Sequence, residues 1–353
     1  MAWLLRPDAL QAFDDPEIKE ILPRYIDVSR DKKPAMFMLS RSLEVEDLKG
    51  EDGWREHDKA VSEVLKMAEE GYFPDERPKF SLLDLKYRLS LEIASRCNLC
   101  ERRCGVDRIK GETGTCGVKK PRVATAFIHM GEEPPITPSG TIFFSGCNFK
   151  CVYCQNWDIS QFPERGEEIN ERELALLMDK LRERGARNIN LVGGEPTPNI
   201  PWIIGSLRFV TRNVPIVWNS NMYLSEESLK LLIGLVDVWL PDFKYWEDDH
   251  ALRLSKVMRY RDVITRNLSE VYKSGGEILI RHLVLPGHLE CCTYPILEWI
   301  AKSTPRVLVN VMEQYRPEYM ADKYEVNRPV SWEEVKLARK KAENLKLRWK
   351  SVS

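Results

Sequence analysis

Three cysteines, Cys147, Cys151 and Cys154, stand at a C-x3-C-x2-C spacing directly after the apolar run 141–144. Cysteine thiolates are the usual ligands of iron–sulfur clusters, and closely spaced thiols can wrap one small cluster from a single loop. Three ligands leave one iron of a [4Fe–4S] cluster without a protein donor. A cluster that only carries electrons does not need an open iron; one that binds a substrate or cofactor does. On spacing alone, a zinc knuckle with a remote fourth ligand and three structural thiols are the competing readings.

The 353-residue chain is long enough for one large domain with an extension, or for two domains. A formal net charge of −1 gives no global pointer to nucleic acid or an anionic membrane, and neither is expected as a partner. No apolar run reaches the ~18 residues of a transmembrane helix. Residues 1–30 carry acidic side chains and no signal-peptide pattern. Nine cysteines without such a signal point to a reducing compartment and to metal binding rather than disulfides, so the expected location is the cytoplasm.

Residues 1–90 read as a charge-rich helical extension. Val61, Val64, Leu65 and Ala68 share one helical face, Gly71 follows as a stop, and Pro74 and Pro78 mark a loop. His57 is expected to be a surface or packing residue. Residues 91–140 form a cysteine-rich, metal-binding segment that ends in a turn-rich connector over 131–140. From 141 to 353 the pattern alternates. Strands are expected at 141–144, 188–192, 214–218, 236–240, 277–284 and 306–311. Helices are expected at 171–184, 202–212, 226–234, 262–274, 294–302 and 333–344. Such alternation implies an α/β fold with a parallel sheet. Six strands suit a partial (β/α)6 barrel, with function at the C-terminal strand ends.

Cys97, Cys100, Cys104 and Cys116 form a second group with C-x2-C-x3-C-x11-C spacing. Four ligands fit a closed zinc site or a complete [4Fe–4S] site, and the choice stays open. Cys291 and Cys292 are adjacent. Adjacent thiols chelate one ion poorly, and free cysteines are often simply buried; a substrate-side thiol or methyl acceptor is the alternative.

Four motifs follow expected strands: Gly193-Gly194-Glu195-Pro196, Asn219-Ser220-Asn221-Met222, Pro241-Asp242-Phe243-Lys244, and the run 280–287 containing Arg281 and His282. Taken alone, each could be an ordinary loop or strand end. Together with Cys147, Cys151, Cys154 and Tyr153 just before the last cysteine, they resemble the radical S-adenosylmethionine (SAM) superfamily. The resemblance implies a [4Fe–4S] cluster on those three cysteines, whose open iron chelates SAM, and reductive cleavage of SAM to a 5′-deoxyadenosyl radical. It places Tyr153 near the adenine. It also assigns Gly193, Gly194 and Glu195 to the SAM amino group, and Asn219 and Asn221 to the ribose and methionine. Pyruvate formate-lyase activating enzymes have a similar D-x-K segment. There Asp242 would help hold a monovalent cation and Lys244 would contact the ribose, and these two are the candidate catalytic residues. Arg281 would pair with the SAM carboxylate through its planar fork. His282 alternates to the opposite face and is expected in the core or just behind the residues that touch SAM, not in catalysis.

Cys97 to Arg108 resemble the C-x-L-C-x-R-x-C-G-x-x-R run of the PflX-like branch related to those activating enzymes. That resemblance implies a low-potential electron donor, such as ferredoxin or flavodoxin, and a substrate that could be a partner protein. Gln314 and Tyr315 stand where the activating enzymes have a histidine nearby, which puts the activase substrate in doubt. Two rival functions remain: an iron–sulfur or zinc module that carries electrons or acts as a scaffold without SAM turnover, and a radical SAM methylase or small-molecule rearrangement enzyme.

Overall fold

The computed structural model describes residues 6–71 and 77–353; Pro74 of the expected loop lies outside them. Among the described residues, eight strands form one open sheet. In chain order they are β1 (Arg122–His129), β2 (Ser139–Phe144), β3 (Glu167–Glu168), β4 (Asn188–Gly193), β5 (Ile216–Ser220), β6 (Val238–Pro241), β7 (Glu277–Leu283) and β8 (Leu308–Met312). Their order across the sheet is β3-β1-β2-β4-β5-β6-β7-β8. The six strands from β2 to β8 are parallel, as the alternation predicts. The expected strand at 214–218 starts two residues later, at Ile216, and those at 236–240 and 306–311 shift in the same direction.

Two further strands correct the count of six. β1 pairs antiparallel with β2, and the two-residue β3 pairs antiparallel with β1. The segment 91–140 therefore contributes a strand to the sheet. Its connector is not plain turn either: it holds a short 3-10 helix (Pro134–Ile136) and two buried acids, Glu132 and Glu133. The sequence reading also misses a helix after β6, Asp248–Ser255.

Side chains show that the sheet curls into a partial barrel. Asn190 on β4 donates to Glu132 (3.0 Å), and Asn310 on β8 donates to Glu133 (2.8 Å). Strands lie about 4.8 Å apart, so a flat sheet would separate β4 from β8 by roughly 19 Å. Only a curved sheet lets both reach adjacent glutamates.

The barrel interior has three layers. At the bottom, Val217, Val238, Leu240, Leu279 and Leu308 pack on Phe13, Ile18, Leu22 and Tyr25. The short helices Pro16–Ile21 and Pro23–Ser29 thus plug the barrel floor, which the reading of residues 1–90 as an extension does not capture. Asp237 anchors them by pairing with Arg24, and Glu277 accepts from the backbone N–H groups of Arg24 (2.7 Å) and Tyr25 (2.9 Å). The middle layer is polar: Glu132, Glu133, Asn190, Asn219, Arg281 and Asn310. The top layer opens to the strand ends that carry the motifs.

The expected helix around residues 58–68 lies within Gly50–Glu70 and ends at Gly71 in a left-handed conformation (φ +73°). His57 is buried. It sits between Asp58 (2.9 Å to Nδ1) and Lys86 (2.9 Å to Nε2), and Lys86 also donates to the carbonyls of Leu231 and Ile233. His282 is buried on the face opposite Arg281. It bridges the Phe243 carbonyl (2.8 Å) and the Thr293 hydroxyl (2.9 Å).

Burial, joined by the neighbouring Lys86, pushes His57 down to about 3, and burial pushes His282 down to about 4. An unfolded chain protonates both below about pH 6.5 while the fold does not, so each histidine removes stability as the pH falls from 6.5. Glu277, pushed up to about 8 by burial, acts in the opposite sense, removing stability as the pH rises from 4.5 to 8. Each group contributes a slope of about 1.4 kcal/mol per pH unit within its window. Below 6.5 the two histidines outweigh the one carboxyl. Above it Glu277 is opposed by Lys86, which burial holds well below the usual lysine value, so that the unfolded chain again binds the extra proton. Thermal melts should therefore show a melting temperature that rises from pH 5 to 6.5. A melting temperature that falls across that range would refute the assignment.

Candidate active site

The cysteine loop leaves β2 through Gly146, in the left-handed region at φ +84°. Backbone bonds tie it down on two sides. Gly146 N donates to the Ile159 carbonyl (2.9 Å), while Lys150 N and Val152 N donate to the Ser255 and Leu254 carbonyls (3.0 and 2.8 Å). Cys147 and Cys151 are buried and Cys154 is nearly so. Each sulfur has at least one polar neighbour. Phe149 N donates to Cys147 Sγ (3.3 Å), Ser255 Oγ lies 3.0 Å from Cys151 Sγ, and Ser160 Oγ lies 3.1 Å from Cys154 Sγ. Burial pushes Cys151 up to about 11 and raises Cys147 and Cys154 as well. Metal-binding thiolates therefore form here only when positive charge arrives with them.

A cavity of about 240 Å³ opens above this loop. Its lining includes Cys147, Cys151, Cys154, Tyr153, Gly193, Gly194, Glu195, Asn219, Asn221, Asp242, Lys244 and Arg281. These are all twelve residues that the sequence motifs nominate for the cluster and SAM. They come from the ends of β2, β4, β5, β6 and β7. Cys291 and Cys292 are not in that lining.

Individual contacts refine the expected roles. The Glu195 carboxylate accepts from Thr197 N (3.2 Å), Thr197 Oγ1 (2.5 Å), Ser220 Oγ (2.6 Å) and Asn221 N (2.9 Å). Three of these bonds fall on Oε1 and one on Oε2, so Glu195 braces the β4 loop to the β5 loop while Oε2 keeps acceptor capacity. Asp242 accepts from Lys244 Nζ (2.7 Å). Burial opposes the Lys244 charge, but Asp242 and the thiols of Cys151 and Cys154 outweigh it and hold its ammonium above the usual lysine value. Arg281 sends its Nε and Nη2 to Glu133 (2.7 Å each), pairs with Glu132, and keeps Nη1 near Asn219 Oδ1 (3.3 Å). Its bidentate fork is thus taken by the connector's glutamates, and only its Nη1 edge is left toward the cavity. The Tyr153 hydroxyl bonds to that of Tyr245, which reaches Ser255 Oγ (2.7 Å) and so links back to Cys151.

The geometry fits a cluster and a polar cofactor. Three thiols lining one cavity supply the donor set for iron. Asn219 Nδ2 is buried with no hydrogen-bond partner among the described residues and belongs to a cavity-lining residue, as a donor awaiting an oxygen would be. A Cβ on Gly194 would collide with the Gly146 carbonyl, so the backbone here closes tightly around the cavity wall.

The family model for the Radical SAM superfamily matches residues 141–300. The chain belongs to this superfamily. An uncharacterized protein of Methanocaldococcus jannaschii is 44% identical over 92% of this chain and 98% of its own length. The 7-carboxy-7-deazaguanine synthase of Aquifex aeolicus is 24% identical over 41% of this chain and 68% of its own. Among solved structures, Streptococcus suis SuiB bound to S-adenosylmethionine gives a TM-score of 0.43 at 11% identity. That match covers 56% of this chain and 44% of SuiB, so this chain spans less than half of that protein. HydG, a maturase of the [FeFe]-hydrogenase, gives 0.42 at 13% identity, over 96% of this chain and 64% of HydG.

The second cysteine group lies against the first loop of this radical SAM fold. The Cys116 carbonyl would meet a Cβ on Gly146 at 3.2 Å, and Arg102 Nε donates to the Asn148 carbonyl (3.0 Å). Cys100 bridges to Leu224 beyond β5. Buried Arg108 donates to Cys116 Sγ (3.3 Å). A Cβ on Gly114 would stand 2.6 Å from Cys104 Sγ, which explains the glycine there.

Sequence reasoning missed several residues that shape the site. Glu132 and Glu133, which hold Arg281, leave a trace only as two acids inside a proline-rich connector. Ser160 and Ser255, which touch two of the cluster sulfurs, leave none.

Proposed function

We infer that Cys147, Cys151 and Cys154 hold a [4Fe–4S] cluster and that the adjoining cavity binds SAM. Membership of the superfamily implies both groups, and the convergence of twelve motif residues on one cavity carries the assignment of these particular side chains. Bound there, cluster and SAM would supply a reductively generated 5′-deoxyadenosyl radical for hydrogen abstraction.

The protein's own work is positioning. Glu195 locks the β4 and β5 loops so that the backbone of Gly193 and Gly194 faces the methionine end. Asn219 Nδ2 and Arg281 Nη1 offer donors to the carboxylate. Lys244, held charged beside Cys151 and Cys154, offsets the negative charge of a thiolate-ligated cluster and stands within reach of the ribose. Tyr153, packed on Tyr315 (ring centroids 5.6 Å), walls the adenine side.

The finer reading is a PflX-like enzyme related to pyruvate formate-lyase activating enzymes, with a low-potential ferredoxin or flavodoxin as electron donor and a protein as the substrate class. Gln314 lining the cavity is where this chain departs from that pattern. A carrier or scaffold without turnover would not need the unpartnered Asn219 amide. A methylase using Cys291 is disfavoured because neither Cys291 nor Cys292 is in the cavity lining.

The test is anaerobic reconstitution with iron and sulfide, then SAM and a strong reductant. Formation of 5′-deoxyadenosine is the expected result. A protein whose cluster is present and reduced, yet which leaves SAM intact, would move the assignment to an electron carrier.

A further inference from the structure

Outside the residues that line the cavity, the helix Asp248–Ser255, the turn after β7 and the segment around residue 325 bring five metal-ligating side chains together. A ring nitrogen of His250 and the sulfurs of Cys291 and Cys292 all lie within 4.8 Å of one another. Ligand atoms of His250, His288 and Glu325 form a second such group, and His250 is common to both. The rings of His250 and His288 stand 4.6 Å apart, edge to face.

His288 is the informative member. It is 3% exposed. Its Nδ1 lies 2.7 Å from the Pro286 carbonyl, which can only accept, so Nδ1 carries a hydrogen and the neutral ring presents Nε2 as a bare lone pair. That Nε2 is buried and has no hydrogen-bond partner among the described residues. A buried acceptor without a donor is costly. The nearest charged group, Glu325, is itself an acceptor, 3.9 Å away and already bound by Arg253. A lone pair that faces a second imidazole, with two thiols adjoining, is suited to a cation.

The cysteines reach the same place because the backbone widens there. Leu289–Thr293 is a π-helical turn, in which the N–H groups of Cys292 (3.1 Å) and Thr293 (3.0 Å) both donate to the His288 carbonyl. Such turns interrupt helices frequently at functional sites. In this turn the two neighbouring sulfurs face one partner, His250, which the sequence argument against adjacent thiols does not anticipate.

We propose that Cys291, Cys292, His250 and His288 hold one zinc-class divalent ion, separate from the cluster and SAM. Two thiolates and two imidazoles are the donor set of closed tetrahedral zinc sites. Zinc bond lengths would place the four donors about 3.3–3.8 Å apart; His250, Cys291 and Cys292 start within 4.8 Å of one another, and the His288 ring must swing toward the sulfurs to complete the set. Arg253 Nη2 now donates to His250 Nδ1 (2.7 Å) and must release it. Arg253 already holds Glu325 through Nε and Nη2, so the guanidinium keeps a partner when it does. Glu325 stays with Arg253 and not with the metal.

Such an ion would join the Asp248–Ser255 helix to the turn after β7. His250 lies in the first turn of that helix, and Ser255 at its far end touches Cys151 Sγ. The ion would therefore clamp the element that seats one of the three cluster ligands, whatever chemistry the cluster performs.

The test is metal content of the full-length protein, purified anaerobically with its iron, for wild type, the Cys291→Ser/Cys292→Ser double variant and His288→Gln. The expected result is loss of one zinc per chain in each variant with iron unchanged. Zinc held by Cys97, Cys100, Cys104 and Cys116 cancels in the difference, because those residues are present in every arm. Should the double variant fail to fold, His288→Gln is read with added cobalt(II). Wild type should then show sulfur-to-cobalt charge-transfer absorption that this variant shifts or loses. Equal zinc in wild type and His288→Gln, with identical cobalt spectra, would overturn the site. Neither readout depends on SAM cleavage, so failure here and failure of the SAM assignment are told apart.

Discussion

Cys151→Ala should reduce 5′-deoxyadenosine formation to the level of a protein-free control. A [4Fe–4S] cluster with three protein thiolates has no spare ligand, and losing one leaves two protein donors for four irons. No replacement is at hand. The atom nearest Cys151 Sγ that could take over is the hydroxyl of Ser255, a poor ligand for iron. The loop itself should survive, because its backbone is tied to Leu254 and Ser255 independently of the sulfur. The variant is therefore expected to fold with a melting temperature near wild type and with depleted iron. Ser255→Ala makes the control: it keeps all three thiols and removes one hydrogen bond to sulfur, so it should assemble a cluster with an altered reduction potential and retain product formation. Wild-type rates from Cys151→Ala would sink the three-cysteine assignment.

The sequence revealed the site better than the frame that holds it. Cys147, Gly193, Glu195, Asn219, Asp242 and Arg281 are legible because each stands at the end of an apolar run, and a parallel barrel gathers such ends. The floor is not legible for the same physical reason in reverse. Its apolar residues are spread over short helices such as Pro16–Ile21 and Pro23–Ser29, too brief for any window to show a period. β1 hides because it lies between β2 and a two-residue edge strand and is only partly buried, so Arg122 to His129 show no clean alternation. The pairing of Arg281 with Glu132 and Glu133 crosses about 150 positions of chain, and no local pattern encodes it. Strand alternation alone puts His282 on the buried face, because it needs only the neighbour Arg281.

Gly193→Ala should be the most damaging single change outside the cysteines. Gly193 ends β4 in register with Phe144 of β2, and its φ of +117° belongs to glycine. Any Cβ there would run into the backbone N and O of Phe144. That neighbour is main chain in a paired strand and cannot rotate away. Overpacking costs about 1–3 kcal/mol and a forced positive φ about 1–3 kcal/mol more. Against a typical net stability of about 5–15 kcal/mol, this should lower the melting temperature of a chain this long by about 3–8 °C. Gly185→Ala separates the two causes. Gly185 also has a positive φ (+98°), but a Cβ there meets nothing within 4 Å, so only the strain remains. The excess loss in Gly193→Ala measures the collision. Relief of that collision must push β4 away from β2, parting the loop that holds Cys147 from the loop that holds Gly194 and Glu195. The variant should therefore lose cluster retention as well as heat stability, while Gly185→Ala loses only a little of the latter. Equal melting temperatures for the two variants would mean that β2 and β4 are not held together where the structure places them, and the shared cavity would go with them.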